Sequence, residues 1–337
     1  MRVVHKPTKP PWRTLILCII VIGVFLLGYQ LWAPGKLFTD GRHDKKRNGV
    51  WIQHGWLGDD TWFNRYERNP RQFRDPAQII RLKNILTEHH ITDVYPHLCP
   101  SQTTGEIAAL DPKQTQQFLL IMDDLRVIPW VGGVLGEHVF LKSKQWRTRF
   151  VTSIRDLLNT YPTFAGIHIN IEPLPSGDAE YLTLLRELKT ALPENKILSI
   201  AAYPPPTLFQ RSLYVHWEKT YYERVAQEVD QMVIMMYDTS LWSEKLYQQL
   251  MASWTKKVLD WTGTTDVLLG VPAYDDEGVM YHYPHVENLK NSLLGIHAGL
   301  ARYPSLPENY QGISIYCKWE MAQEEWDYLK ANYCRNL

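Results

Sequence analysis

The sequence has no surplus of charge and no cysteine pattern typical of a metal site. Its 337 residues include 36 basic and 36 acidic side chains, so the formal net charge is zero. Without a basic surplus there is no electrostatic reason to expect nucleic-acid binding. The four cysteines, at positions 18, 99, 317 and 334, lack the spacing of zinc ligands. We therefore predict no metal, no cofactor and no nucleic-acid partner.

Charge is also missing from one long run near the amino terminus. Residues 14–33 (TLILCIIVIGVFLLGYQLWA) are mostly apolar. Their length is the ~20 residues that a helix needs to cross ~30 Å of hydrocarbon. A cleavable signal peptide is the alternative, but its apolar region spans ~7–15 residues and ends at a small-residue cleavage site, which is not evident here. We predict an uncleaved, single-pass signal anchor at 14–33, between a basic tail (1–13) and a polar tether (34–48).

Basic side chains flank both ends of this run in nearly equal numbers. A large domain can be translocated largely regardless of its charge, and the first basic cluster lies tight against the run. We therefore predict a membrane protein whose amino terminus is cytoplasmic and whose large domain is extracytoplasmic. Cys99, Cys317 and Cys334 belong to that domain, either as one disulfide with a free thiol or as three buried thiols.

Residues 49–337 alternate between two hydrophobic periods. Eight runs predict strands, near 49–54, 92–97, 126–131, 165–172, 196–202, 230–237, 266–273 and 311–317. Eight patterns predict helices, at 77–90, 115–125, 146–161, 178–192, 217–229, 244–261, 286–303 and 321–333. This alternation predicts an α/β fold, a parallel (β/α)8 TIM barrel. A doubly wound open sheet is the alternative, but no glycine-rich dinucleotide fingerprint accompanies it.

The fourth predicted strand has the most informative pattern. His168, Asn170 and Glu172 share one face of it, and three isoleucines share the other. An edge strand with its polar face in water would show the same alternation. Catalytic residues of a parallel barrel lie at the carboxyl ends of its strands, so a carboxylate at this strand end favours a pocket.

The other strand ends add mainly aromatic side chains. These positions are His54, His97, Trp130, Gly132, Gly133, Tyr203, Tyr237, Asp238, Tyr274, Asp275, Tyr316 and Trp319. Aromatic faces stack on sugar rings, and carboxylates accept hydrogen bonds from hydroxyl groups, so this lining predicts a carbohydrate site. Tyr237-Asp238 is the strongest pair, because an ionisable group that closes an apolar strand is costly without a purpose.

Five of these strand ends resemble motifs of glycoside hydrolase family 18, the chitinase-like barrels. The family's Met-x-Tyr-Asp and Gly-hydrophobic-Pro-x-Tyr motifs are matched by 235–238 and 270–274. Its Asp-Gly-x-Asp-x-Asp-x-Glu motif corresponds to 165–172, and its Ser-x-Gly-Gly motif to 130–133. Trp319, or alternatively Tyr316, takes the place of an eighth-strand tryptophan. The resemblance covers roughly residues 49–333.

The resemblance implies a retaining glycosidase without an enzyme nucleophile, acting on β-linked N-acetylglucosamine glycans through the substrate's own 2-acetamido oxygen. By the same matching, Glu172 is the general acid and then base, Tyr237 hydrogen-bonds the acetamido group, and Asp238 helps to hold the distorted sugar. The remaining side chains expected to bind substrate are Trp130, His168, Tyr203, Tyr274, Tyr316 and Trp319.

Three aspartates of the family motif are replaced, by Ala165, His168 and Asn170. An amide at position 170 cannot supply the negative charge that stabilises an oxazolinium, and loss of such a group typically costs ~10²–10³ in rate. The family 85 endo-β-N-acetylglucosaminidases, however, place an Asn two residues before the acid Glu, as in Asn170-Ile171-Glu172. His168 would then tune Glu172 as a charged or hydrogen-bonding neighbour.

Two alternatives to this enzyme stay open. The first is a catalytically silent barrel that binds carbohydrate through the same pocket. The second is a retaining glycosidase that uses a second carboxylate, from Asp238, Asp275 or Asp276, as its nucleophile.

Overall fold

A computed structural model describes residues 11–108, 110–207, 210, 212–276 and 278–335. These residues form nine parallel strands in one sheet: β1 Asn48–Ile52, β2 Ile91–Pro96, β3 Arg126–Val127, β4 Trp130–Val134, β5 Gly166–Glu172, β6 Ile197–Ala202, β7 Gln231–Met235, β8 Asp266–Pro272 and β9 Tyr310–Tyr316. Their order in the sheet is β3-β2-β1-β9-β8-β7-β6-β5-β4.

The strand predicted at 126–131 is divided in two at Pro129. β3 pairs with β2, whereas β4 pairs with β5. Proline has no N–H to donate to a strand ladder, which accounts for the interruption. A bridge between His97 and Trp130 joins the two ends of the sheet into a ring. The predicted (β/α)8 barrel is therefore confirmed, with one of its eight strands in two pieces.

The described residues also form eleven α-helices: α1 Pro11–Leu31, α2 Asp60–Arg65, α3 Arg71–Arg74, α4 Pro76–Glu88, α5 Pro112–Ile121, α6 Lys144–Thr160, α7 Ala179–Ala191, α8 Lys219–Ala226, α9 Glu244–Trp261, α10 Leu289–Leu300 and α11 Gln323–Asn332. The last eight of these correspond to the predicted helices. Asp, Ser and Asn side chains cap several amino ends; Asn288, for example, starts α10 three residues later than its apolar pattern suggests. The short α2 and α3 were not predicted, because neither is long enough to show a helical period.

The two faces of the strands have different surroundings. Ile167, Ile169 and Ile171 of β5 are buried in the main hydrophobic cluster, which the helices complete. On the opposite face, inside the ring, polar side chains bond to one another. Ser199 Oγ, for example, donates to Gln231 Oε1 at 2.7 Å.

Among the described residues, one helical stretch, Trp12–Phe38, is long and apolar enough to cross a membrane. The most apolar part of this stretch is not buried against the barrel. A signal sequence near an amino terminus passes the same test of length and composition. Residues 1–10 of the predicted basic tail lie outside the described residues.

The segment predicted to be a polar tether, 34–48, packs on the barrel. A 3₁₀ helix at Pro34–Phe38 buries Gly35 against α10, where an added Cβ would lie 1.9 Å from the carbonyl oxygen of Leu294. Farther along, buried His43 places its Nδ1 2.9 Å from Nδ1 of His297. The composition of residues 34–48 does not predict this packing, because glycine and histidine occur in linkers as well as in close contacts.

Candidate active site

Glu172 ends β5 at the carboxyl end of the barrel, where two neighbours bind its carboxylate. Oε1 accepts a hydrogen bond from Asn170 Nδ2 at 2.7 Å, and Oε2 accepts one from the Tyr203 hydroxyl at 3.1 Å. Burial raises the pKa of Glu172, although both hydrogen bonds act in the opposite direction. A carboxyl group in this state keeps its proton to higher pH, as general-acid chemistry requires.

The backbone of β4 approaches β5 closely below this carboxylate. Gly132 pairs with Asn170 and has φ 133°, and a Cβ there would lie 1.9 Å from the Asn170 carbonyl oxygen. A side chain at this position would displace Asn170, so only glycine fits. Gly132 therefore has a structural role, because it lets β4 lie close to the backbone of Asn170 in β5.

A second cluster of polar side chains lies on the loops that follow β7 and β8. Asp238 has φ 58°, in the left-handed region, and its Oδ1 accepts a hydrogen bond of 2.5 Å from the Tyr274 hydroxyl. His282 Nδ1 lies 3.3 Å from the same oxygen, and His282 Nε2 lies 3.1 Å from the Tyr274 carbonyl oxygen. Because a carbonyl only accepts, Nε2 carries a proton and Nδ1 faces the carboxylate.

Glu287 also belongs to the cluster of Asp238 and His282. Its carboxylate lies 3.7 Å from His282 Nδ1 and accepts hydrogen bonds from the Thr239 N–H and hydroxyl. Burial alone would lower the pKa of His282, but the neighbouring Asp238 and Glu287 raise it. Burial raises the pKa of Glu287 to about 7. His282 and Glu287 were not predicted, since they lie in an irregular loop and near a helix start, where no period marks a residue.

Two cavities meet at Glu172. One, of about 410 Å³, is lined by Glu172, Tyr203, Pro204, Val215, His216, Met235, Tyr237, Asp238 and Tyr281. The other, of about 280 Å³, is lined by Glu172, Asn170, Trp130, His97, His54, Cys99, Pro100, Gly133, Val134 and His138. A cleft with Glu172 at its middle therefore runs across this end of the barrel.

Aromatic rings pack against one another behind the side chains that line the cleft. Tyr237 stacks on Tyr316 with ring centroids 5.6 Å apart and an interplanar angle of 18°. Tyr274 and Trp319 both contact Tyr316 edge to face, at 5.3 and 5.7 Å. Tyr274, Tyr316 and Trp319 thus hold the cleft wall, while Trp130, Tyr203, Tyr237 and Asp238 line it directly.

His168 does not reach the cleft. Its side chain is fully buried inside the ring, where Nδ1 lies 2.8 Å from Ser199 Oγ and Nε2 lies 3.3 Å from Trp51 Nε1. Burial lowers its pKa to about 3, so the ring is neutral. Both of its nitrogens are engaged by side chains of the barrel interior, so His168 is a buried structural residue of β5.

Solved structures with the same fold include a spore cortex-lytic enzyme and chitinases. The spore cortex-lytic enzyme SleL of Bacillus cereus matches with a TM-score of 0.56 and 14% identity, covering 85% of this chain and 74% of its own. A class V chitinase of Pseudomonas fluorescens (TM-score 0.53, 16% identity, 77% and 97% covered) and a chitinase of Chromobacterium violaceum (0.52, 14%, 75% and 95%) also match. At these identities the likeness establishes the fold.

The family is established by sequence. No curated protein matches the chain as a relative. The sequence model of one family, glycosyl hydrolases family 18, matches residues 46–336, which is most of the chain. Together with the barrel and the strand-end motifs, this match shows that the chain belongs to glycosyl hydrolase family 18.

Proposed function

We propose that this protein is a membrane-anchored glycosidase that cleaves β-linked N-acetylglucosamine-containing glycans with retention, by a substrate-assisted mechanism. The observation that supports this most is the position of Glu172. A carboxyl group with a raised pKa lies at the junction of two cavities, where a glycosidic bond that spans both would meet it.

The reaction has two steps in this proposal. Glu172 first gives its proton to the leaving glycosidic oxygen while the 2-acetamido carbonyl oxygen attacks the anomeric carbon; the C1–O bond breaks and an oxazolinium ion forms. Ionised Glu172 then takes a proton from water as that water attacks the same carbon and opens the oxazolinium ring. The configuration is retained and Glu172 is again protonated.

Asn170, Tyr237 and Asp238 are proposed to bind the reacting sugar. Asn170 Nδ2 is used by Glu172, but its Oδ1 is buried and has no hydrogen-bond partner among the described residues. An acetamido N–H would satisfy this acceptor. Tyr237 and Asp238 line the same cavity as Glu172, which supports their proposed contacts with the acetamido group and the distorted ring.

The proposed substrate class is a polymer or glycan that contains a 2-acetamido sugar. Similar structures are named as chitinases and as a spore cortex-lytic enzyme, which supports a polymeric substrate. A barrel anchored by residues 14–33 on the extracytoplasmic side would meet such a polymer. The membrane anchor and its sidedness are part of the proposal.

Replacement of the acid tests the proposal directly. We expect Glu172→Gln to lower kcat on a soluble β-linked N-acetylglucosamine oligomer by about 10²–10⁴, because general acid–base catalysis contributes that much. Oligomer binding, measured by calorimetry, should persist. Glu194→Gln, at an exposed carboxylate between α7 and β6 at the opposite end of the barrel, is the matched control. Hydrolysis that survives Glu172→Gln would refute the assignment.

A silent carbohydrate-binding barrel is the second candidate, and Asn170 is the observation that favours it. An amide stands where the family motif has a carboxylate, so the charge opposite the oxazolinium is absent. Wild-type protein that binds the oligomer in calorimetry without turning it over would establish this function.

A carboxylate nucleophile is the remaining mechanistic alternative. Asp238 is exposed on one side, yet its Oδ1 is already bound by Tyr274 and faces His282. A substrate without the 2-acetamido group distinguishes the mechanisms. Equal hydrolysis of matched glucosides and N-acetylglucosaminides would favour an enzyme nucleophile; loss of hydrolysis with the glucoside supports substrate assistance.

A further inference from the structure

Large apolar side chains are exposed around one side of the cleft mouth. We call Tyr214, Trp242, Met280 and Tyr281 the apolar rim. Their exposed fractions are 65%, 76%, 85% and 50%. They lie on the three loops that follow β6, β7 and β8, so all four belong to the carboxyl end of the barrel.

The rim is continuous with the cleft. Tyr281 lines the cavity that Glu172 and Asp238 share. The N–H of Ser240 donates to the Tyr281 carbonyl oxygen at 3.0 Å, which joins the loop after β7 to the loop after β8. A surface that covered the rim would therefore lie beside the mouth of the cleft.

The end of α1 is attached at this same end of the barrel. Lys245, in the first turn of α9, donates to the carbonyl oxygens of Tyr29, Gln30 and Trp32, the last at 2.9 Å. Its ammonium also lies 5.4 Å from the centroid of the Tyr29 ring. Trp242 precedes Lys245 by three residues, so the rim begins directly beside the end of α1.

The side chains of α1 before this attachment are exposed, so the helix leaves the barrel rather than packing along it. Tyr29 and Trp32 mark the end of the apolar run, and these two residue types favour the boundary between hydrocarbon and water. A bilayer crossed by α1 would therefore have its surface at the level of Lys245. The rim would meet that surface.

We propose that the apolar rim lies in the headgroup region of the bilayer that α1 crosses, so that the cleft opens at the membrane surface and acts on a glycan held there. The inference rests on the proposed function and on α1 as an anchor. Tryptophan, tyrosine and methionine fit this environment, since each buries apolar area while the indole and phenol groups reach polar partners.

Charge around the rim identifies the kind of lipid surface. The charged side chains nearest in sequence to its members include exposed Asp238 and Glu244, which are acidic. Lys245 is engaged by α1. The residues that the structure describes around the rim include no basic cluster, so attraction to anionic lipid is not the main effect and the rim should bind neutral phosphatidylcholine as well as anionic bilayers.

Hydrogen exchange on the full chain tests the contact independently of activity. The protein would be reconstituted in phosphatidylcholine nanodiscs, and wild type would be compared with the double variant Trp242→Ser/Met280→Ser. We expect amides in 212–215, 240–246 and 278–283 to exchange at least about ten-fold more slowly in wild type, because burial of one large apolar side chain supports that factor. Equal exchange in the two proteins would overturn the inference.

A second arm measures turnover in the same nanodiscs. The double variant should cleave a soluble N-acetylglucosamine oligomer at the wild-type rate, and the same oligomer tethered to a lipid headgroup about ten-fold more slowly. Leu120→Ser is the matched control, since Leu120 is 77% exposed near the end of α5, at the opposite end of the barrel. Equal rates on the tethered oligomer would contradict the inference. Wild-type protein inactive on both substrates would refute the proposed function alone, since hydrogen exchange still reports the rim.

Discussion

At the scale of single residues, the ionisation of Glu172 results from opposing effects. Burial favours the protonated carboxyl, whereas the hydrogen bonds from Asn170 and Tyr203 favour the carboxylate. An acid that must donate a proton and then accept one needs both states within reach. Each neighbour can therefore be tested by its effect on the pH dependence of the reaction.

Restoring the family's carboxylate at position 170 should accelerate the reaction. We expect Asn170→Asp to raise kcat by up to about 10²-fold, because it returns a negative charge beside the oxazolinium. The new carboxylate would lie about where the amide now contacts Glu172, so it should also raise the pKa of Glu172. Steady-state kinetics with Asn64→Asp, an exposed change on α2, as the control would measure both effects. A folded variant with unchanged or lower kcat would contradict the oxazolinium role of this position.

Removal of the Tyr203 hydroxyl should move the alkaline limb of activity. The hydroxyl stabilises ionised Glu172, so Tyr203→Phe should raise the pKa of Glu172 further. The acid would stay protonated to higher pH, and the fall of kcat/KM on the alkaline side should shift upward. Tyr222→Phe is the control, because its hydroxyl bonds to the Tyr203 backbone and not to Glu172. A limb that stays in place, or moves to lower pH, would argue against Glu172 as the acid.

At the scale of secondary-structure elements, α1 continues into packed structure and not into a free linker. The 3₁₀ helix Pro34–Phe38 lies on α10, and the His43–His297 contact follows it. Burial lowers the pKa of His43 to about 4 and that of His297 to about 3, so both rings are neutral at pH 7. The stability that this pair contributes is present above the ordinary histidine pKa of 6.5 and is lost as the pH falls from there toward about 3.

Substitution of Gly35 should separate this segment from α10. We expect Gly35→Ala to cost about 1–3 kcal/mol, because its Cβ would overlap the backbone oxygen of Leu294, which has no side-chain freedom to move. Thermal unfolding and trypsin cleavage at Lys36 or Arg42 in detergent would measure the loss. Gly28→Ala, which has nothing within 4 Å of its added Cβ, is the matched control. Equal stability and cleavage of the two variants would show that the segment is not packed in solution.

At the scale of the whole molecule, the candidate active site and the end of α1 lie on the same side of the barrel. The rim borders the cleft, and Lys245 joins the end of α1 to the start of α9. A flexible tether would let the cleft sample many orientations. In the proposed membrane protein, a packed segment and a held helix end would restrict the barrel to one orientation relative to the bilayer.

If residues 14–33 are an uncleaved anchor, they remain in the mature chain. We expect the mature chain to retain residues 14–33, so that detergent releases it from membranes whereas alkaline carbonate does not. Intact mass spectrometry of the extracted protein would show whether the span is present. A mature chain that begins beyond residue 33 would establish a cleaved signal peptide, and would remove the anchor on which the membrane contact depends.

The sequence by itself was sufficient for the barrel, the family and the strand that carries Glu172. These features follow from local periods and short motifs, which one stretch of chain contains completely. The tertiary structure decided that His168 is neutral and buried, that Glu172 keeps its proton more strongly, and that His282 and Glu287 join Asp238. It also decided that 34–48 packs and that the rim lies beside the end of α1. Burial, ionisation and shared surfaces depend on contacts between residues far apart in the chain, and folding alone brings those residues together.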